Sequence, residues 1–124
     1  MNINYPKIVK LSAVYNVIVG GSIVLFPNLL FNLSAYPVPN YQILWQCLGM
    51  TVAVVGYGLY LASKDLVQNK NILILGVLGK ILGPVILGGF GVVTSQLPLI
   101  FLPVIIFDFI WSIIYLFALR SLKK

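Results

Sequence analysis

The sequence predicts an all-α membrane protein: a single domain, residues 1–124, that forms an up-and-down bundle of four transmembrane helices with its N and C termini in the cytoplasm. Three observations predict this fold. The 124-residue chain is 60% hydrophobic and 8% charged, and its mean hydropathy of +1.06 is too high for an ordinary soluble domain. Its length accommodates about four spans of about 20 residues. Its basic residues lie mainly beside the apolar stretches, as in proteins whose loop charges set membrane topology.

The first two predicted spans are residues 8–26 and 41–62. Lys7 and Lys10 precede the first apolar run, and no small-residue cleavage site follows it, so we expect an uncleaved span and not a signal peptide. The prolines and the lack of charge in residues 27–40 indicate a loop at the membrane surface. Trp45 and Gln46, near the start of the second span, are expected at the outer membrane interface, where aromatic side chains collect.

The third and fourth predicted spans are residues 72–93 and 99–119. Gly79 and Gly83 have the spacing that lets two helix backbones approach closely, and Gly76 lies one turn earlier, so these three glycines predict a close helix contact. Pro84 removes one backbone donor and predicts a kink in the same helix.

The positions of the basic residues predict the orientation. Apart from Lys80, they lie at the N-terminus, in the linker 63–71 or at the C-terminus, and the loops 27–40 and 94–98 have none. Basic loops stay in the cytoplasm, so both termini and the linker are expected there. We therefore interpret the net charge of +6 as a determinant of topology and not as a nucleic-acid binding surface.

Lys80 lies in the middle of the third span. A lysine at the centre of a membrane helix costs about 2.5 to 3.5 kcal/mol on insertion scales, so an opposite charge is expected nearby. The chain has two acidic residues: Asp65 in the polar linker and Asp108 in the fourth span. At about 1.5 Å per residue, Lys80 lies about 12 Å and Asp108 about 16 Å from the cytoplasmic ends of their helices. The sequence therefore predicts a Lys80–Asp108 ion pair.

Three other polar residues fall at a similar depth. Asn16 lies about 12 Å, Thr51 about 15 Å and Ser112 about 10 Å from the cytoplasmic ends of their helices. Because polar groups are costly in hydrocarbon, we expect them to face the bundle interior with the ion pair. This polar layer either fixes the helix register, carries ions or protons, or binds a polar headgroup.

The composition restricts the chemistry of the chain. It has no histidine and a single cysteine, Cys47, so the imidazole ligand and general base are missing and no internal disulfide can form. No nucleophile has a base to activate it. We therefore expect no metal, no cofactor and no catalytic residue.

Three segments resemble a known family: residues 44–46 (LWQ), 79–84 (GKILGP) and 108–111 (DFIW). Together they resemble a widespread group of small four-helix bacterial membrane proteins without an assigned activity. The size and helix number are also similar to DoxX-like proteins, some of which accompany quinol oxidases or thiol-redox proteins. The resemblance implies a multi-pass protein of the bacterial inner membrane and brings no chemistry to carry over.

These observations favour a non-catalytic integral membrane protein. We expect either an accessory or assembly subunit of a membrane complex or a binder of a lipophilic small molecule, a lipid or a quinone. Its partners would be the lipid bilayer and other membrane subunits or a second copy of the chain. One alternative is a small dimeric transporter that couples to protons or cations through Asp108. Another is a DoxX-like protein associated with redox enzymes.

Overall fold

The computed structural model describes residues 2–123, which fold into helices without any β-strand. Four helical segments are long and apolar enough to cross a membrane: Tyr5–Leu25, Gln42–Ala62, Lys70–Val92 and Leu99–Ser121. The prediction of four such helices is confirmed. The individual elements are α1 (Tyr5–Leu25), α2 (Leu29–Leu33), α3 (Gln42–Ala62), α4 (Lys70–Val85), a π-helical segment (Ile86–Val92), a 3-10 turn (Leu99–Phe101) and α5 (Leu102–Ser121).

Helix α1 begins at Tyr5, earlier than the predicted residue 8, because the chain supplies an N-terminal cap. The Asn4 side chain accepts a hydrogen bond from the backbone N–H of Lys7 at 3.1 Å, and Pro6 occupies the first turn. An asparagine cap satisfies one of the unpaired backbone donors of the first turn, and proline fits there without losing a helical hydrogen bond.

Pro84 lies inside α4, one residue before the α-helix ends at Val85. The chain then continues as the π-helical segment Ile86–Val92. Proline lacks the backbone N–H that would bond to the preceding turn, and helices take up such local disruptions by kinks or by wider π turns. The structure thus shows a change of helix type next to the position at which the sequence predicts a kink.

The four long helices alternate in direction, as their side-chain and backbone contacts show. Contacts between helices join the beginning of one to the end of the other. They are Gly20 to Gly49 and Asn16 to Gly56 for α1 and α3, Gly58 to Ile72 and Leu59 to Gly76 for α3 and α4, Gly76 to Tyr115 for α4 and α5, Gly88 to Ile105 for the π-helical segment and α5, and Ser12 to Tyr115 and Tyr15 to Trp111 for α1 and α5. The helices therefore form an antiparallel bundle. Packing is most extensive within the pairs α1–α3 and α4–α5.

The helix backbones of α1 and α3 approach each other closely at glycine positions. A Cβ atom on Gly20 would lie 2.3 Å from the carbonyl oxygen of Gly49 and 2.5 Å from the backbone nitrogen of Ala53. A Cβ atom on Gly56 would lie 2.8 Å from the Cβ of Asn16. Small residues at a helix interface allow this spacing, which larger side chains would prevent.

The predicted glycine contact of the third span is wrong for two of its three residues. A Cβ atom placed on Gly79 or Gly83 would have no atom of another helix within 4 Å. A Cβ atom on Gly76 would lie 3.0 Å from Leu59 and 3.1 Å from Tyr115. Spacing alone does not set the rotation of a helix about its axis. Because α4 turns Lys80 inward, Gly79, about 100° around the helix, points away from the neighbouring helices.

The bundle has a thin interior and an apolar exterior. One buried cluster includes Leu59, Leu73 and Tyr115, and a second lies around Phe31 and Phe101. Many large apolar side chains are exposed along all four long helices, among them Ile18, Leu44, Leu75, Phe107 and Phe117. Apolar exposure on this scale is unfavourable in water and suits contact with lipid.

The α1–α3 contact predicts opposite effects at two adjacent glycines. Gly20→Ala forces a methyl group against the backbone of α3, so we expect it to lower the free energy of unfolding by about 1 to 3 kcal/mol. Gly21→Ala is the matched control, because a Cβ atom there has no neighbour within 4 Å. It should be neutral or stabilise by up to about 1 kcal/mol. Circular dichroism during unfolding of the detergent-solubilised protein measures both; equal effects would contradict the contact.

Candidate functional site: a buried polar centre

Lys80 is the centre of a polar cluster in the bundle interior. The residue is 6% exposed. Its ammonium group donates to Oδ1 of Asp108 on α5, with an Nζ to Oδ1 distance of 2.8 Å, and to Oδ1 of Asn16 on α1. The structure therefore brings three of the predicted polar-layer residues into one hydrogen-bonded group, which we call the polar centre.

The backbone geometry of the helices positions these three side chains. Gly56 on α3 leaves room for Asn16, whose Cβ would lie 2.8 Å from a Cβ at that position. The absence of a side chain on α3 lets Asn16 stay buried and reach across to α4. Asp108 differs from its partners because its side chain is 18% exposed, compared with 7% for Lys80.

Tyr15 lies beside the polar centre and connects α1 to α5. The Lys80 ammonium lies 5.2 Å from the centroid of the Tyr15 ring, within the range of a cation–π interaction. The ring also packs against Phe107 and Trp111, at centroid distances of 6.2 and 6.3 Å, on either side of Asp108 in the α5 sequence. Tyr15 therefore links the lysine to the aromatic residues that flank its partner carboxylate.

A second polar contact joins α1 to α5 and was not predicted. The hydroxyl groups of Ser12 and Tyr115, both 0% exposed, form a hydrogen bond, and the Ser12 hydroxyl lies 3.0 Å from the carbonyl oxygen of Val9. Helical spacing in the sequence could have indicated this contact. Ser12 lies one turn before Asn16, and Tyr115 lies two turns after Asp108, so each shares a helix face with a residue of the polar centre.

Thr51 does not join the polar centre, and this part of the prediction is wrong. The residue is exposed, and its hydroxyl donates to the carbonyl oxygen of Cys47 at 2.9 Å. Helix α3 turns Gly49 and Gly56 inward, and Thr51 is about 200° around the helix from Gly49. A threonine hydroxyl bonded to the preceding turn needs no partner in the bundle interior.

Ser112 is buried but makes a local hydrogen bond. Its hydroxyl donates to the carbonyl oxygen of Phe109 at 2.7 Å, and the residue is 3% exposed. It therefore faces the interior one turn from Asp108 without bonding to the ion pair. The depth prediction placed it in the correct part of the bundle, but the backbone satisfies its hydroxyl.

Trp45 and Gln46 link α3 to other elements near its N-terminal end. The Trp45 ring packs against Phe31 and Phe101, each at a centroid distance of 5.6 Å. The Gln46 amide donates to the carbonyl oxygen of Val24 on α1 at 2.8 Å. Their placement at an outer membrane interface stays a prediction.

An apolar groove of about 440 Å³ lies on the outside of the bundle between α1 and α3. Its walls are formed by Val17, Gly21, Val24, Leu25, Met50, Ala53, Val54 and Tyr57. Such a groove accepts hydrocarbon, and its lining offers few polar groups to select a headgroup. The polar centre is therefore the better candidate for recognition.

The polar centre has a limited chemical repertoire. Its formal charges cancel, because one ammonium faces one carboxylate and the third member is a neutral amide. A cation that approached Asp108 would compete with the Lys80 ammonium, and an anion that approached Lys80 would be repelled by Asp108. The arrangement therefore favours a neutral ligand.

Comparison of the chain with protein-family models, with curated proteins and with solved structures finds no match.

The ion pair predicts strong coupling between two substitutions. Lys80→Met or Asp108→Leu alone leaves a charge without its partner in the interior, so we expect either to destabilise the protein by about 3 to 5 kcal/mol. The double variant removes both charges and leaves only the neutral Asn16 amide without its donor, so its free energy of unfolding should fall by about 1 to 3 kcal/mol, well below the sum of the two single losses. Reversible unfolding in mixed micelles measures all three, with Thr51→Val as an exposed control. Additive losses in the double variant would argue against the pairing.

Proposed function

We propose that this chain is a non-catalytic, multi-pass integral membrane protein that binds a lipophilic molecule with a polar head, acting by itself or as an accessory subunit of a membrane complex. The observation that carries the proposal is the partial exposure of Asp108. A neutralised polar centre that reaches the surface between apolar helix faces matches a molecule with a polar head and a hydrocarbon tail.

The energetics of buried ion pairs support a role beyond stability. Replacing such a pair by apolar residues of similar volume is often neutral or stabilising, so a Lys80–Asp108 pair is not required to hold four apolar helices together. Ionisable residues inside membrane segments are functional sites by default. We therefore assign ligand binding to the polar centre, with helix register as its structural consequence.

Transport coupled to a proton or cation at Asp108 is the second candidate, because the same partial exposure gives an ion access to the carboxylate. The Lys80 ammonium at 2.8 Å competes with any such ion, which favours the binding function. The proposal does not depend on the resemblance to DoxX-like proteins.

For the topology we propose that both termini and the 63–71 linker lie on the cytoplasmic side of a bacterial inner membrane. Green fluorescent protein fused after residue 124 should fluoresce, and alkaline phosphatase at the same position should be inactive. Phosphatase inserted in the loop 94–98 is the matched control and should be active. The reverse pattern would contradict the orientation, which rests on the basic residues of the linker and the two ends.

Ligand binding predicts a bound mass that depends on the polar centre. Native mass spectrometry of the protein released from nanodiscs should detect one lipophilic molecule per chain. The Lys80→Met/Asp108→Leu double variant should fold and lose that mass, while Thr51→Val, a change at an exposed residue outside the centre, should retain it. A bare monomer or homodimer of the original chain would contradict the binding function and direct the work to proton-coupled transport assays on Asp108.

A further inference from the structure

One buried donor next to the polar centre has no acceptor. The indole nitrogen Nε1 of Trp111 is buried and makes no hydrogen bond within the described residues 2–123. A buried donor without an acceptor costs about 1 to 3 kcal/mol. Lipid tails offer no acceptor, so a bound molecule that carries one would relieve this cost.

The orphan N–H belongs to the same cluster as the ion pair. Trp111 lies one turn after Asp108 on α5, and its ring packs at 6.3 Å from that of Tyr15. Tyr15 in turn lies 5.2 Å from the Lys80 ammonium. The one other buried side-chain atom without a hydrogen-bond partner among residues 2–123 is Oδ1 of Asn28, which precedes α2 and belongs to none of these contacts.

The cluster also lies between two helices that share only a short contact. Helices α1 and α5 contact each other much less than the pairs α1–α3 and α4–α5 do. We call the line along which Tyr15 meets Phe107 and Trp111 the α1–α5 seam. Tyr15 and Trp111 are both partly exposed although Nε1 itself is buried, so the seam lies between the polar centre and the outside of the bundle.

The charges and donors at the seam determine the class of ligand. An indole N–H only donates, so the ligand must offer an acceptor. The Lys80–Asp108 pair is neutral as a unit. Asp108 would repel a phosphate or carboxylate, and Lys80 would repel an amine. A neutral carbonyl oxygen meets neither penalty. Membrane lipids carry such oxygens in their ester groups, and quinones carry them on the ring.

We infer that the α1–α5 seam binds the head of a lipophile that carries a neutral carbonyl oxygen, and that Trp111 Nε1 donates a hydrogen bond to this oxygen. The inference rests on the proposed function and adds to it the ligand class and the recognition residue. Asp108 and Lys80 then form the neutral floor of the site, and Tyr15 lies at its side.

The indole N–H of Trp111 can be observed directly, because the chain has two tryptophans and therefore two indole signals in a ¹H–¹⁵N spectrum. Trp45→Phe leaves the Trp111 signal and Trp111→Phe leaves the Trp45 signal, so either variant assigns both signals of the original chain. Trp45 is the matched control, since its ring lies in the separate Phe31–Phe101 cluster.

The spectra are recorded in nanodiscs of diester and of diether phosphatidylcholine, each with and without decylubiquinone. Decylbenzene, which has no carbonyl group, serves as the control ligand. If a quinone is the ligand, decylubiquinone moves the Trp111 indole proton downfield in diether discs and decylbenzene does not move it. The Trp45 indole proton then shifts less than that of Trp111. If a lipid ester is the ligand, the Trp111 proton lies further downfield in diester than in diether discs before any quinone is added.

A Trp111 indole signal that stays the same in all these samples overturns the inference. Native mass spectrometry of the same samples separates that failure from failure of the proposed function. A retained lipophile with an unmoved Trp111 signal overturns the carbonyl contact and leaves ligand binding intact. No retained lipophile together with an unmoved signal overturns both. Equal downfield shifts of Trp111 and Trp45 indicate a general solvent effect and also count against the seam.

Discussion

Burial of the Lys80 ammonium is the constraint on which the rest of the arrangement depends. A lone ammonium in a low-dielectric interior is too costly to keep, so its charge and its donors must be matched by other helices. Helix α5 supplies the carboxylate of Asp108 and α1 supplies the amide oxygen of Asn16. Helix α3 leaves room for this group, because Gly56 has no side chain and Asn16 can therefore occupy the interior. While Lys80 is present, the register of α1, α4 and α5 is therefore tied to its side chain.

The bundle consists of two extensively packed pairs that meet through a small apolar cluster and through polar contacts. Within α1–α3 the backbones touch at Gly20 and Gly49, and α4 packs along α5 through contacts such as that of Gly76 with Tyr115. Between the pairs, hydrogen bonds from Lys80 to Asn16 and between Ser12 and Tyr115 define the junction. Lipid tails are as apolar as leucine, so membrane helices gain little from apolar burial against one another and depend on close packing and polar bonds. The polar junction is accordingly the most specific part of the assembly and the part that a ligand can influence.

The sequence predicts depth well and rotation poorly. Counting residues along each span places Lys80, Asp108 and Asn16 at compatible depths, and the scarcity of acidic residues leaves one partner for the lysine. The same counting assigns Thr51 to the interior, although α3 turns it outward. Hydropathy does not resolve this rotation, because the lipid-facing and interior faces of a membrane helix are both apolar. It also leaves undetermined which glycines face a neighbour, so the close contact falls at Gly20 and not at Gly79.

In the function proposed here, recognition of a lipophile depends on its head more than on its tail. A tail that moves from the bilayer to a helix surface exchanges one apolar environment for another, so its transfer contributes little free energy. A hydrogen bond to the buried Trp111 N–H, by contrast, removes a penalty of about 1 to 3 kcal/mol, which corresponds to a preference of about fivefold to more than a hundredfold. The neutral Lys80–Asp108 pair next to it adds discrimination by disfavouring charged heads of either sign. On the proposed function, one donor and one neutralised ion pair are therefore sufficient for a small membrane protein without histidine to select among lipophiles.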